Sequence, residues 1–207
     1  MLEVLAQRTR HLTVVLEDIY QPHNASAVLR SCDCMGVQDV HIIENKNKYE
    51  LNPGIELGSA KWLNLTKYNK DENNTATCLQ SLKDKGYRIV ATTPHTRSCS
   101  ISELPIDNKI ALVMGTEMSG ISSTVEEMAD DFVVIPMFGF TESFNISVST
   151  AICLYELMKR IRSSEIKWQL SHEEHEQILL QWMKGQMKKA DLIEKEFYRI
   201  RSTNPAG

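Results

Sequence analysis

Residues 109–115, with the sequence KIALVMG, decide the fold class of this 207-residue chain. Five of the six residues before Gly115 are apolar, which is the composition of a strand buried on both faces of a parallel sheet. The glycine directly after the run lets the backbone turn tightly where the strand ends. We therefore interpret Lys109–Met114 as a central strand of a parallel sheet.

Short apolar runs alternate with helical patterns on both sides of this strand. The alternation predicts an α/β fold, a parallel sheet with helices on both faces. The predicted helix Asn145–Arg160 is apolar most of the way round, so we expect it to be buried. The predicted strands are Leu12–Glu17, Asp39–Glu44, Trp62–Leu65, Arg88–Thr92, Lys109–Met114 and Phe132–Ile135, and the predicted helices are Asn24–Met35, Asn73–Lys85, Ser122–Met128 and Asn145–Arg160.

The pattern divides the chain into a central α/β domain and two helical extensions. We expect residues 12–162 to form the α/β domain, residues 1–11 a helical extension before it, and residues 163–207 a helical extension after it. Two helices separated near Gly185 are expected in the second extension. Ser171 and Glu174 have the spacing of a capping box at the start of the first of these helices.

Composition excludes several classes of protein. No apolar run approaches the roughly 18 residues of a membrane span, and the first residues lack the pattern of a signal peptide, so we expect a cytoplasmic protein. The five cysteines have no paired spacing, so we expect buried reduced thiols. His172 and His175 are three residues apart rather than the four that a zinc-protease helix needs, so no metal is expected.

The net charge of −4 is distributed unevenly along the chain. Residues 159–201 contain ten Lys and Arg against seven Asp and Glu, a local charge of +3, whereas residues 1–158 have thirteen against twenty, a local charge of −7. A basic tail on an acidic body can still bind phosphates because the local field matters more than the total. Mixed charges of this kind also occur on ordinary solvated helices.

The segment 22–30, PHNASAVLR, is the first of three strand-end segments with unusual composition. Ligands of open α/β sheets bind beyond the carboxyl ends of the strands, where such segments lie. Asn24 suits the N-cap of a helix, and Ser26 and Ala27 are small. Arg30 lies about 9 Å further along the helix, and its side chain leans back toward the helix start. Taken alone, the segment also fits a capped helix with a surface arginine.

The second segment is 114–120, MGTEMSG, directly after the apolar strand. Its two glycines, Gly115 and Gly120, allow a tight turn and leave room beside the backbone. Glu117 is then expected to present its carboxylate at the strand end. Taken alone, a G-x-E-x-x-G pattern is common in turns between strands and helices.

The third segment, 135–149 with the sequence IPMFGFTESFNISVS, is the most distinctive of the chain. A strand ends, a loop follows, and a long helix begins at or near Asn145. Helix capping accounts for either Ser143 or Asn145, but not obviously for both. The small residues Ser147 and Ser149 allow another helix to approach closely.

In order and spacing, these segments resemble the three motifs of the SPOUT-class tRNA and rRNA ribose methyltransferases of the SpoU/TrmH type. The matching patterns are N-x-x-A-x-x-R, G-x-E-x-x-G and I-P-M-x-G-x-x-x-S-x-N, and the resemblance extends from about Leu12 to Arg160. The N-terminal helix, the run QPHN at 21–24 and the helical tail are most similar to members that methylate a guanosine in the D-loop of tRNA.

The resemblance implies a fold and a cofactor. The C-terminal part of the sheet domain would be tied in a deep trefoil knot, which is an exception to the usual rule against knots. S-adenosylmethionine would bind in the knot, against loops that include Thr92, Gly115, Ile135 and Phe144. Phe144 replaces the leucine usual in the family, and we expect it to preserve an apolar contact.

The resemblance also implies a catalytic set of five residues: Asn24, Arg30, Glu117, Ser143 and Asn145. A ribose 2′-hydroxyl would attack the methyl group of the donor, and the family's proposed base is the arginine. Because arginine effectively never deprotonates in proteins, our hypothesis is that Arg30 binds a substrate phosphate, which takes the proton, and stabilises the forming alkoxide. The two asparagines and Ser143 would orient the ribose and the loop, and Glu117 would fix the arginine or the loop.

Family members are obligate dimers, and this implies a homodimer with the helix Asn145–Arg160 at its interface. Basic residues of the two extensions are our candidates for contacts with the tRNA backbone, which position RNA without reading its sequence. These RNA-binding candidates are Arg8, Arg10, His11, Lys188 and Lys189.

Three alternatives remain. The substrate could be rRNA or the wobble position of tRNA, although wobble-position enzymes typically lack a tail like residues 165–201, and ribosomal ones often carry a separate N-terminal RNA-binding domain where only eleven residues precede the first strand here. The chain could be a catalytically silent RNA-binding dimer, but every residue of the catalytic set is present. An unrelated nucleotide-binding enzyme would need a glycine-rich phosphate loop, and none follows a predicted strand.

Overall fold

The computed structural model describes residues 1–50, 58–93, 98–116 and 120–203. The strands are β1 (Leu12–Glu17), β2 (Asp39–Ile43), β3 (Asn64–Tyr68), β4 (Tyr87–Thr92), β5 (Cys99–Ser100), β6 (Lys109–Met114) and β7 (Asp131–Val134). The α-helices are α1 (Leu2–Leu5), α2 (Pro22–Met35), α3 (Asn74–Asp84), α4 (Ser123–Met128), α5 (Ile146–Arg162), α6 (His172–Gln186) and α7 (Ala190–Thr203), and a 3₁₀ helix covers Ser59–Trp62.

The seven strands form one sheet in the order β3-β2-β1-β6-β4-β7-β5, and every neighbouring pair is parallel. The apolar strand β6 lies at the centre of the sheet, paired with β1 on one side and β4 on the other. This confirms the α/β fold with a parallel sheet. The register places Leu16 opposite Met114, so β1 and β6 end together at one edge of the sheet.

Alternate side chains of the central strands enter two separate cores, one on each face of the sheet. Leu112 of β6 belongs to the core that α2 and α5 cover, with Leu29 and Leu154. Val113 points the other way, into the core that α3 and α4 cover, with Leu79. The helices on both faces therefore agree with the sequence-based expectation, and they explain why β1 and β6 are apolar without alternation.

The structure corrects three local predictions. Helix α2 begins at Pro22 with Gln21 as its N-cap, so the prediction that Asn24 caps this helix is wrong. Proline suits this first position because its fixed φ matches the helix and it has no N–H to leave unpaired. The strand predicted at Trp62–Leu65 begins at Asn64, after the 3₁₀ helix. Strand β5, which has two residues, was not predicted because so short a strand has no periodicity.

Two expectations about burial hold only in part. Leu154 and Leu157 of α5 are buried, but Val148 and Tyr155 are exposed, so this helix is not buried all round. Of the five free cysteines, Cys32, Cys78 and Cys153 are buried, Cys34 is exposed and Cys99 is partly exposed. The prediction that all five are buried is therefore wrong.

The chain divides into two compact units, residues 7–169 and residues 1–6 with 170–207. In the smaller unit, α1 packs against α6, and the predicted capping box of Ser171 and Glu174 is confirmed at the start of α6. Helix α6 continues through Gly185, and the break before α7 falls at residues 187–189. Within the described ranges, no helix combines the length and the apolar character needed to cross a membrane.

Candidate active site

A cavity of about 580 Å³ opens at the carboxyl ends of β4, β6 and β7. Its volume lies within the roughly 300–1,000 Å³ typical of small-molecule sites. Three loops form its wall, those that follow Thr92, Met114 and Val134. Seven of the residues predicted for the site line it, namely Asn24, Thr92, Gly115, Ile135, Ser143, Phe144 and Asn145.

The loop after β6 is closed by two backbone hydrogen bonds. The N–H of Thr116 donates to the carbonyl of Gly120 at 2.8 Å, and the N–H of Gly120 donates back to the carbonyl of Thr116 at 3.1 Å. A Cβ added to Gly115 would lie less than 3.0 Å from the backbone of Gly120 and Ile121. Glycine is therefore required at position 115 by close approach of the backbone.

Asn145 joins the third segment to the first. As the N-cap of α5, its Oδ1 accepts hydrogen bonds from the N–H of Ser147 at 2.9 Å and from its hydroxyl at 2.6 Å. Its Nδ2 donates to Oδ1 of the buried Asn24 at 3.1 Å. Asn145 thus uses one atom to start the helix and another to reach α2, and Ser143 has no part in the cap.

Asn24 is in turn oriented by a residue that sequence reasoning did not single out. Its Nδ2 donates to Oε1 of Gln21 at 3.2 Å, and Gln21 also lines the cavity. The chain Gln21–Asn24–Asn145 therefore fixes both asparagine amides at the cavity wall. The sequence offered one signal, since Gln21 directly precedes the proline that opens the helix.

The predicted cofactor residues supply a wall that is partly polar and partly apolar. The Thr92 hydroxyl donates to the carbonyl of Val113 at 3.2 Å, which ties the end of β4 to β6. Phe144 is 43% exposed and can contribute its ring to a bound ligand. Sequence reasoning did not assign further wall residues to the site, among them Thr93, Ile121, Met137 and Glu142 of the same loops and Ser149 of α5.

The charges at the wall are negative. Among the described lining residues, the charged side chains are Glu126 and Glu142, both of which are exposed to solvent. Burial raises the pKa of the lining residue Cys153 to about 12, so its thiol is neutral and cannot act as a base near pH 7. Carboxylates without cationic neighbours on the wall favour a ligand that carries positive charge.

Arg30, a member of the predicted catalytic set, is not brought to this wall. Arg30 is exposed on α2 and lies outside the cavity lining, so its guanidinium does not reach the cavity mouth within the single chain. Glu117 lies outside the described residues. The structure therefore assembles Asn24, Ser143 and Asn145 around the cavity and leaves the arginine exposed on α2, outside the lining.

The residues predicted to contact RNA differ in accessibility. Arg8 is only 1% exposed, forms an ion pair with Asp33 and donates to the carbonyl of Val37 at 3.2 Å. The prediction that Arg8 contacts phosphates is therefore wrong, because its guanidinium is committed inside the protein. His11, which is also buried, lies with its Nε2 2.7 Å from the carbonyl of Ile106.

The other three candidates are accessible to different degrees. Arg10 is partly exposed and pairs with Asp39 at 2.9 Å. Lys188 and Lys189 are exposed in the turn between α6 and α7. Among the described residues, no group of three or more His, Cys, Asp and Glu side chains could hold a metal ion.

Comparison with known proteins gives a consistent result. The SpoU rRNA methylase family matches residues 11–155. A tRNA (guanosine(18)-2′-O)-methyltransferase of Borreliella burgdorferi is 45% identical over 93% of this chain and 86% of its own, and one of Aquifex aeolicus is 35% identical over 87% and 85%. The crystal structure of the Aquifex aeolicus TrmH/SpoU tRNA-modifying enzyme, 34% identical, covers 90% of this chain and 95% of its own with a TM-score of 0.80.

Proposed function

Because this chain belongs to the SpoU methylase family, we propose that it transfers a methyl group from S-adenosylmethionine to the ribose 2′-hydroxyl of a guanosine in tRNA. The position that we propose is the D-loop guanosine expected from the sequence, and it is supported by guanosine 18 in the names of the relatives from Borreliella burgdorferi and Aquifex aeolicus. The observation that carries the proposal is the hydrogen bond between Asn24 and Asn145 at the wall of the cavity, because it unites two of the family's motifs at one place.

The cavity suits S-adenosylmethionine in size, in polarity and in charge. This donor has an adenine ring that can stack on apolar groups, a ribose and a sulfonium centre, and it supplies an electrophilic methyl group when bound. Phe144 and Ile135 offer apolar contacts, and the backbone of the Gly115 loop and the Thr92 turn offers polar ones. The carboxylates of Glu126 and Glu142 complement a positively charged ligand.

The asparagines at the cavity wall are proposed to orient the substrate ribose. Both side chains are held by hydrogen bonds within the protein, so they need little reorganisation when RNA binds. Ser143, which is exposed in the loop before α5, is proposed to donate a hydrogen bond to the ribose or to close the loop over it. Glu117 keeps the role proposed from the family motif, that of fixing the arginine or the loop.

Arg30 is proposed to act on the substrate side of the site. Its side chain is exposed on α2, where a phosphate of the bound tRNA can reach it. A guanidinium that binds a phosphate also stabilises negative charge on the neighbouring 2′-oxygen, while the phosphate accepts the proton. This division of labour avoids a deprotonated arginine.

We further propose that the protein is a cytoplasmic homodimer whose catalytic domain, residues 12–162, has the trefoil knot of its family. The dimer proposal is supported by the exposed apolar residues on and before α5, which are Phe138, Phe140, Val148 and Tyr155. A second copy would cover this surface, and sedimentation of the Tyr155→Glu variant against the unaltered protein tests the proposal. Arg10, Lys188 and Lys189 are proposed to bind the tRNA backbone, and no metal is proposed.

Methyl transfer to RNA tests the proposed activity directly. The purified protein is incubated with radiolabelled S-adenosylmethionine and, in parallel reactions, with unmodified tRNA or rRNA transcripts, and the 2′-O-methyl group is mapped to a nucleotide. Label on the D-loop guanosine that is absent in Asn145→Ala establishes reaction and site. Label on rRNA alone would keep the reaction class and overturn the substrate. Donor binding without label on either RNA would favour a binding protein without catalysis.

A further inference from the structure

A buried carboxylate that the proposed mechanism does not use lies behind the cavity. Glu17, the last residue of β1, is 2% exposed. None of the ion pairs in the described part of the chain includes it. Removing a carboxylate from water costs several kcal/mol unless hydrogen bonds replace the water. The hydrogen-bond partners of Glu17 therefore indicate which part of the structure the buried carboxylate stabilises.

Three hydrogen bonds reach the Glu17 carboxylate, and two of them come from one residue. Ser122 donates its N–H to Oε2 at 3.0 Å and its hydroxyl to Oε1 at 2.7 Å. The Thr75 hydroxyl, near the start of α3, donates to Oε1 at 2.6 Å. The carboxylate thus accepts hydrogen bonds from both the backbone N–H and the hydroxyl of Ser122. This two-point contact fixes the orientation of the Ser122 backbone.

Ser122 is the far anchor of the loop that forms the middle of the cavity wall. It follows directly after Gly120 and Ile121, which line the cavity, and its hydroxyl caps α4 by accepting from the N–H of Val125 at 3.2 Å. At its near end the loop is fixed by β6, since Gly115 follows Met114 of that strand. The sheet register places Leu16 opposite Met114. Glu17, which holds Ser122, therefore lies beside the end of β6, where the loop begins.

We propose that Glu17 is a positioning residue for donor binding, which acts through Ser122 to hold the part of the cavity wall formed by Gly115, Thr116, Gly120 and Ile121 in its binding shape. The proposal rests on the proposed function, because it assigns the loop to the methyl donor. Glu17 itself does not line the cavity. Its effect is therefore on the affinity for the donor, and the affinity for tRNA is expected to stay within about twofold of the unaltered protein.

The variants follow from the geometry. Glu17→Gln replaces an acceptor by an amide donor, so either the N–H of Ser122 or the two hydroxyls lose their acceptor. Ser122→Ala removes one of the two contacts, and Ser122→Thr keeps both. Thr75→Val is the matched control, because it removes a hydrogen bond to the same carboxylate from the side of α3, away from the cavity.

Two measurements, one without any donor, test the proposal. Glu17→Gln and Ser122→Ala are expected to weaken S-adenosylmethionine binding in calorimetry by about 10-fold or more, with Ser122→Thr near the unaltered value and Thr75→Val unchanged. In the protein without donor, amide exchange of Thr116 and Gly120 is expected to accelerate by about 10-fold or more relative to that of Leu112 in the core of β6.

The outcomes separate this proposal from the proposed function. Exchange at Thr116 and Gly120 that rises no more than at Leu112, or that rises equally in Thr75→Val, would overturn the positioning role and leave Glu17 as part of the core. If the unaltered protein binds no S-adenosylmethionine, the proposed function fails, but the exchange experiment still decides whether Glu17 holds the loop. Ser122→Ala carries the test if Glu17→Gln does not fold.

Discussion

The side-chain amide of Asn145 donates a hydrogen bond to the side-chain oxygen of Asn24 at 3.1 Å, across 121 positions of the chain. The contact joins the start of α5 to the first turn of α2. The same Asn145 side chain also caps α5, so a simple deletion would confuse a loss of helix stability with a loss of site geometry. The two roles use different atoms and can be separated.

Asn145→Ser is expected to keep the helix cap and lose the bridge, because a serine hydroxyl can accept from the backbone but is too short to reach Asn24. Stability should then change by less than about 0.5 kcal/mol, whereas Asn145→Ala should lose about 1 kcal/mol. Turnover should fall by at least about 10-fold in both variants. Thermal unfolding and single-turnover methylation measure the two effects, and unchanged turnover in Asn145→Ser would show that the bridge has no catalytic role.

Gly115→Ala is expected to weaken donor binding by about 10-fold or more, because its Cβ would collide with the backbone of Gly120. The loop must shift to make room for the alanine side chain, which costs about 1–3 kcal/mol. Gly185→Ala is the control with the opposite sign, since a Cβ there meets nothing within 4 Å and the site is inside α6. That variant should gain about 0.5–1 kcal/mol in unfolding free energy. Donor affinity retained in Gly115→Ala would mean that the loop is plastic.

Arg30→Lys tests the nature of the cationic group. A lysine keeps the charge but loses the bidentate fork, so the rate should fall by about 10-fold, and Arg30→Ala should lose about 10²–10³. Stability should not change because the side chain is exposed. Near-normal methylation by Arg30→Lys would support a simple positive charge and would count against both a base and a bidentate clamp.

Basic residues of the extensions should separate into structural and RNA-binding groups. Lys188→Gln with Lys189→Gln should weaken tRNA binding and lower its logarithmic salt slope by about 0.7–0.9 for each phosphate that the variant no longer binds, with no change in melting temperature. Arg8→Met should instead lower stability, by about 3 kcal/mol or more, because it leaves Asp33 without its partner. An unchanged salt slope in the double lysine variant would remove these residues from the RNA-binding surface.

His41 should make folding stability depend on pH in the mildly acidic range. Burial lowers the pKa of His41 from 6.5 to about 4, so between these values the unfolded chain binds a proton that the folded chain does not. The contribution is therefore fully present above pH 6.5 and falls by at most about 3 kcal/mol as the pH approaches 4. The unfolding free energy of His41→Gln should depend less steeply on pH between 6.5 and 5 than that of the unaltered protein. Equal slopes in the two proteins would contradict the assignment.

The fold was predictable because its central strands are buried on both faces, and such strands stand out as continuous apolar runs. The position of the Gly115 loop was predictable for the same reason, since it directly follows the clearest strand. Asn24 illustrates the limit. Its residue type suits an N-cap, but Pro22 can open a helix earlier, and the structure places Asn24 in the first turn, buried against the sheet.

Arg8 shows a second limit of sequence reasoning. An arginine close to Arg10 and His11 in the sequence has the pattern of a phosphate-binding group, and the sequence cannot reveal that the side chain is turned inward. Its partner Asp33 lies 25 positions away at the end of α2. Long-range pairs of this kind depend on the order of strands in the sheet, which periodicity alone does not determine.

The strand order also has a consequence for the order of synthesis. A ribosome makes the chain from its N-terminus, so β1 and β4 both leave it before β6, the strand that fills the gap between them. Until residue 114 has emerged, the backbone N–H and C=O groups along one edge of each of these strands have no partner strand, and such edges can pair with another chain. The hydrogen bond between Asn24 and Asn145 forms later still, after Asn145 has been synthesised. The methyl donor can therefore stabilise only a polypeptide whose translation has passed α5, and it cannot help the earlier intermediates to fold.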